Sequence, residues 1–211
     1  MSTENITSER ESVKLRRLFF RKKRKIEEEE KNNTQEGKHK FIVMKMSWDH
    51  ALDVLKQIED QDENDPTHKN VKIREFNPNT DTEKFIRCYN RAFITAPDPY
   101  RSLTIGDVQH FKPESTFVAI LYGRIVGFIF LVIEPIIQQG NQIGNQGVIA
   151  GIGVDPRYRR KRIAFLLAAR AAKYFAQHNV LELVCEVYHE NKISYHFIRS
   201  FGFVETGTIY L

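Results

Sequence analysis

Cysteine is scarce: only Cys88 and Cys185 occur in 211 residues, with no Cys-x-x-Cys spacing. A disulfide scaffold is thereby excluded, a zinc site is disfavoured, and both thiols read as core residues. Long apolar runs are also missing. The longest, Ile125 to Ile133, contains Gly127 and falls far short of the roughly 20 residues needed to cross a bilayer. No transmembrane segment is expected. The N-terminus lacks the apolar core of a secretory signal, because Lys14, Arg16 and Arg17 interrupt the stretch from Val13 to Phe20. A cytoplasmic protein is the expectation. The length suits one domain with an extension and argues against a multidomain enzyme.

What is present is enough apolar material for a core, at 41% hydrophobic and 11% aromatic residues, and a net charge of +5. The charge is uneven. Residues 1–40 hold 12 Lys/Arg against 8 Asp/Glu, and the rest of the chain holds 20 against 19. Lys14 to Lys25 carries eight cations and no acid, and the acidic block Glu27 to Glu30 follows. Segregated charge of this kind reads as a solvated segment, disordered or helical. It also reads as a basic arm for nucleic acid, ribosome or anionic lipid, with Leu15, Leu18, Phe19 and Phe20 as its apolar component. Residues 1–46 are therefore expected to be a charged tail, and loss of residues 1–40 is expected to leave stability and ligand affinity nearly unchanged.

After the tail, Trp48, Ala51, Leu52, Leu55 and Ile58 recur at helical spacing behind Ser47 as N-cap. One amphipathic helix and an Asp/Asn-rich linker are expected over residues 47–70. The compact domain is expected from Val71 to Leu211. Its order reads as a strand at Val71 to Phe76, a helix at Thr82 to Ile94, a Pro-containing loop and a short helix near Thr104 to Phe111. A hairpin about Tyr122-Gly123-Arg124 follows, then a Gln/Asn/Gly-rich loop from Gln138 to Gln146 and a strand at Val148 to Val154. A long helix over Arg160 to Gln177, a strand at Glu182 to Val187, a helix near Ser194 to Ser200 and a strand at Phe203 to Tyr210 complete it. Such an order closes as a mixed α/β domain, one sheet with helices on both faces.

The chemistry concentrates at two strand-to-helix junctions. In the first, Val154-Asp155-Pro156-Arg157-Tyr158-Arg159-Arg160-Lys161-Arg162-Ile163-Ala164, a buried strand ends at a proline and a basic loop opens into a helix. Unpaired amides, the positive end of a helix dipole and five cations in six residues meet the requirements of a phosphate or pyrophosphate site. A nucleic-acid patch or a solvated turn would show the same spacing.

That run resembles the acetyl-CoA-binding motif of the GNAT acyltransferases, V-x-P-x-x-(R/Q)-x-x-G-x-(G/A), with Arg159 and Ala164 at the matching ends. The second junction, Glu186-Val187-x-x-x-Asn191-x-x-Ser194-x-x-Phe197-x-x-x-x-Gly202-Phe203, resembles the family's E-V-x-x-x-N-x-x-A-x-x-L-Y-x-x-x-G-F. The hairpin Phe117-Val118-Ala119 to Ile125-Val126-Gly127 is similar to its middle strands. The resemblance spans residues 71–211. It implies a GNAT-like, mostly antiparallel central sheet with helices on both faces, and acetyl-CoA as cofactor. It places the pyrophosphate on the backbone from Arg159 through Arg160, Lys161, Arg162 and Ile163 to Ala164, and the pantetheine arm along Ile149 to Val154. Ile152, Gly153, Val154 and Asn191 are the other implied cofactor contacts, with an oxyanion donor near Gly153 or Val154. Glu186 lies where related α-amine acetyltransferases carry a general base. An α-amine, with a pKa of roughly 7.7 to 8 against about 10.4 for lysine, asks less of such a base. A protein or peptide N-terminus is thus the expected acceptor. A small-molecule amine, or an inactive binding module recruited to nucleic acid or ribosome, are the rivals.

Three positions depart from the pattern. Arg162 replaces a glycine, Ile198 replaces the tyrosine that protonates the leaving thiolate, and one strand follows Gly202-Phe203 where the family has two. Tyr195, three residues before Ile198 on the same helical face, is the candidate substitute acid, with Tyr188, His189 and His196 also near; protonation of the thiolate by solvent is the favoured alternative. The loop Thr95 to Ser102, which should face the acceptor, carries no readable motif.

Overall fold

The computed structural model describes residues 39–62 and 70–210. Its elements are β1 (Lys40–Ser47), α1 (Trp48–Asp62), β2 (Val71–Glu75), α2 (Pro78–Ile94), α3 (Ile105–Val108) and β3 (Thr116–Leu121). They continue with β4 (Arg124–Gln138), β5 (Asn141–Val154), α4 (Ile163–Phe175), β6 (Val180–Tyr188), α5 (Lys192–Ser200) and β7 (Val204–Tyr210). Residues 1–38 of the expected tail and 63–69 of the expected linker lie outside the described residues. No helix among the described residues is long and apolar enough to cross a membrane.

Local chemistry accounts for the element ends. The α2 helix starts at Pro78, ahead of the expected Thr82, because Asn77 accepts a hydrogen bond from the Asn79 amide at 3.0 Å and Pro78 sits at the first helical position, where its missing N–H costs nothing. The seven strands form one sheet in the order β2-β3-β4-β5-β6-β1-β7. Every neighbouring pair is antiparallel except β5 with β6, and α4 supplies the crossover that a parallel pair requires. Alternation along the strands divides the core in two. Val118, Phe128 and Phe130 pack with Phe85, Tyr89 and Ala92 of α2. Phe117, Ile129 and Leu183 pack on the opposite face with Leu167, Ala171 and Phe175 of α4 and Ala51 of α1. Both cysteines are buried, as expected, and burial pushes the Cys88 thiol up to about 12.

Two expectations are corrected. The β1 strand lies partly inside the segment expected to be tail. It pairs with β6 from Phe41 opposite Tyr188 to Ser47 opposite Glu182, and with β7 on its other side. Phe41, Met44 and Met46 are buried. The run Phe41-Ile42-Val43-Met44 is strand-forming, but its partners are distant in sequence and its flanks are basic. The sheet therefore has β1 in the slot between β6 and β7. The expected loop Gln138 to Gln146 is instead a hairpin end. Gln139 at φ 51° and Gly140 at φ 82° form a two-residue turn in the left-handed region, and the strands pair to within one residue of it, Gln138 opposite Asn141. Its polar composition reflects exposure rather than irregular backbone.

Candidate functional site

β5 and β6 stay paired only from Asn145 opposite Val180 to Ile149 opposite Cys185. Beyond that point β5 continues on β4 to Val154, and β6 continues on β1 to Tyr188. The cause of the parting is on β5. Gly151 faces Phe130 and Ile149 faces Leu131, so Ala150 is an extra residue, and such a bulge bends its strand and increases the twist. A cleft of about 710 Å³ opens between the parted strands.

The backbone phase decides which amides face this cleft. The Asp155 amide donates to the Val126 carbonyl at 2.9 Å, so by alternation Gly153 also directs its N–H to β4, while Val154 and Ile152 direct theirs into the opening. The Val154 carbonyl accordingly accepts from Arg159 Nε at 3.3 Å. Of the two amides expected as oxyanion donors, that of Val154 therefore faces the opening and that of Gly153 faces β4. Gly153 serves packing: a Cβ there would lie 2.5 Å from Phe128 Cζ.

At one end of the cleft stands the basic loop. Asp155, 2% exposed, accepts from the Arg157 amide at 3.1 Å and binds its guanidinium at 3.1 and 2.8 Å, with Arg91 at 3.5 Å. The Arg157 guanidinium holds the Asp155 carboxyl below the usual range. With the loop fixed, α4 begins at the cleft, and its first amides have no acceptor within the helix. Arg160, Arg162, Ile163 and Ala164 line the opening; Lys161 does not. Arg159 lines it but spends its guanidinium elsewhere, on Ala92 O at 3.0 Å and Thr95 Oγ1 at 3.3 Å at the C-terminal end of α2, where a cation is favoured.

Arg162 shows why a glycine belongs to the motif it departs from. Its φ is 54°, in the region where a side chain costs roughly 1–2 kcal/mol. Arg162→Gly and Arg162→Ala both remove the guanidinium, but only the first removes the strain. The glycine variant should therefore be the more stable by about 1 kcal/mol in denaturant titration. Equal midpoints would mean that the loop relaxes freely.

The opposite wall carries carboxylates and aromatic rings. Cys185 and Val187 belong to the core on the α4 side, so Glu186 between them projects to the α2 side, where it lines the cleft half-buried. Asp98 lines it too, and was not singled out in the sequence because its signal is a contact across the fold. Asn191 Nδ2 donates to its Oδ2 at 2.5 Å. Burial pushes the Asp98 carboxyl up. Phe41, Tyr89, Phe93 and Tyr100 complete this wall.

Tyr195 is not brought to the cleft. Its hydroxyl donates to Glu205 on β7, and that bond raises its pKa. Ile198, three residues on, points into the opening instead, since a three-residue step turns the side chain about 60° and moves it about 4.5 Å along the axis. Tyr195 is therefore withdrawn as the substitute acid. Tyr195→Phe should leave kcat within about twofold and the melting temperature nearly unchanged, because the bond it removes is exposed to solvent; a large fall in kcat alone would restore it.

Comparison with known proteins gives the same picture. Residues 82–203 match the family described as Acetyltransferase (GNAT) family. The chain is 28% identical over 144 residues to the mycothiol acetyltransferase of Thermobifida fusca (strain YX), covering 63% of this chain and 43% of that protein. That of Kocuria rhizophila is 25% identical over 142 residues, 63% and 46% of the two chains. The chain thus spans under half the length of these curated relatives. Among solved structures, Ard1 from Thermoplasma volcanium superposes with a TM-score of 0.51 at 27% identity, over 65% of this chain and 85% of that one. The aminoglycoside N-acetyltransferase AAC(6')-Iy in complex with CoA does so with a TM-score of 0.52 at 23% identity, over 65% and 90%, a likeness of fold.

Proposed function

This chain belongs to the acetyltransferase (GNAT) family, and on that premise we propose that it transfers an acetyl group from acetyl-CoA to a primary amine, with a protein or peptide N-terminus as acceptor. The observation that carries the reading is the parted β5–β6 pair, with two outward amides between a cationic helix start and a carboxylate-bearing wall. The donor set suits acetyl-CoA: amides and cations for its phosphates, and a strand edge for its amide-bearing arm.

Acetyl-CoA supplies a thioester whose carbonyl carbon is open to an amine. The first amides of α4, with Arg160 and Arg162, hold phosphate charge. One of the two outward amides, that of Val154 or that of Ile152, would hold the thioester carbonyl oxygen, since about 6.6 Å of strand separates them, and a well-placed donor is worth about 2.7–4 kcal/mol to the charge that develops there. Glu186 takes a proton from the acceptor nitrogen. Ile198 has none to give, so solvent protonates the departing thiolate, which a thiol of pKa about 8.5 permits near neutral pH.

The test is mass spectrometry after incubation with acetyl-CoA and a mixture of free-N-terminus peptides and small amines. Acetylation at peptide α-amines, with lysine side chains of the same peptides spared, is the expected result. Transfer to small amines alone would move the acceptor class, and no transfer to any member would overturn the proposal.

A further inference from the structure

Among the described residues, the half-buried and buried aspartates have a common arrangement with one exception. Asp81 is bound by Arg74 at 2.5 and 2.8 Å. Asp107 is bound by Arg101 at 2.8 and 2.5 Å, and Asp155 by Arg157 and Arg91. Each has a guanidinium. Asp98 has instead the neutral amide of Asn191 and its own backbone N–H.

Asp98 is also held in place. Asn191 is buried and fixed at both ends, its Oδ1 accepting from the Ser194 amide at 3.0 Å and its own N–H donating to Tyr188 O at 2.8 Å. Pro97 and Pro99 stiffen the chain on either side. Farther along, the Arg101–Asp107 fork and a 3.0 Å bond from the Leu103 amide to Asn90 Oδ1 anchor the loop. A carboxylate kept rigid, partly desolvated and without a cation costs stability.

We infer that Asp98 binds the ammonium of the acceptor, and that the cleft selects primary amines presented as cations on an apolar or aromatic stem. The stem preference follows from the rings that share the wall. Phe93 and Tyr100, both half-buried, stack at 6.2 Å, and the fully buried Tyr89 backs Phe93 at 4.7 Å. Such faces attract a cation and bury an apolar stem. Asp98 is bonded by Asn191, the residue that caps α5, and the tyrosines near enough to feel its charge are Tyr89 of α2 and Tyr188 of β6, both raised by burial and therefore neutral. Asp98 thus recognises the charged amine, while Glu186 is left to take the proton.

The inference rests on the acetyl-transfer reading and deepens it. Its test is calorimetric titration of two nearly isosteric probes into the full chain saturated with CoA. Benzylamine is charged at pH 7 and phenylhydrazine is neutral. The wild type should bind benzylamine the more tightly. Asp98→Asn should weaken benzylamine about tenfold or more and phenylhydrazine by less than about twofold, and Asp98→Glu, which keeps the charge, should recover part of the difference. Equal losses for both probes would show a structural role for the loop. No change, or no benzylamine binding to the wild type, would equally overturn the inference. Should Asp98→Asn fail to fold, the Asp98→Glu ratio between the probes decides, and an unaltered ratio with weakened binding of both counts against it. Binding of benzylamine through Asp98 without any acetyl transfer would sink the enzymatic reading alone. Acetylation with Asp98-independent binding would sink this one alone.

Discussion

A chain that begins at Trp48 should lose its cooperative thermal transition relative to one that begins at His39. The nine residues that distinguish them contain β1, which stands between β6 and β7. Removing it exposes the β6 edge and leaves β7 without its strand partner. Phe41, Met44 and Met46 are 1%, 0% and 7% exposed, and each such side chain contributes about 1.5–3 kcal/mol by burial. Their sum, with the strand's backbone bonds, approaches the whole 5–15 kcal/mol by which domains of this kind are typically stable. Circular dichroism melts and amide dispersion in NMR spectra would read the outcome. A cooperative transition in the shorter chain within a few degrees of the longer one would show β1 to be dispensable. A milder variant, Met44→Ala, should cost about 2–5 kcal/mol if the strand is as tightly packed as its burial indicates.

The same strand marks a boundary of what sequence could reveal. Both junction motifs were legible because each is continuous in the chain: a strand end, a cap or a basic loop, and a helix start within a dozen or so residues. Arg162 could be recognised as standing for a glycine, although only its positive φ shows why. The cleft was legible only through the resemblance, which laid the cofactor arm along Ile149 to Val154; its cause, one extra residue at Ala150, was not, since a bulge leaves no periodic signature in a run as apolar as Val148 to Val154. Asp98 was hidden for a different reason. An aspartate between two prolines reads as a turn residue, and what distinguishes it is an asparagine 93 residues away. Tyr195 could be named as a candidate but not placed, because spacing along a helix gives the face but not the neighbour, and the neighbour is Glu205. The hairpin at Gln139-Gly140 was hidden by composition, because exposed strands beyond the core carry the polar residues that loops carry.

Replacing the carboxylate of Glu186 should produce the largest catalytic effect of any single change in the cleft. Glu186→Gln keeps the length and shape of the side chain, and β6 is held by pairing on the β1 side, where Glu186 faces Val43. The melting temperature and CoA affinity should therefore move little. A positioned general base contributes about 10²–10⁴-fold to rate, so kcat at pH 7 should fall by that order. The sign of the pH dependence follows from the acceptor. Below the α-amine pKa of roughly 7.7 to 8 the nucleophile arrives protonated, and a residue must remove the proton. Above it, solvent has already done so. The ratio of wild-type to Glu186→Gln rates should accordingly shrink as pH rises from 6.5 to 9.5, by up to about tenfold per unit below the amine pKa and little beyond it. A defect that stays constant with pH would assign Glu186 to positioning rather than proton transfer, and an unchanged kcat would remove it from the reaction. If the rate instead falls in Asp98→Asn with the same pH signature, the proton goes to Asp98, and the two carboxylates exchange the roles assigned to them.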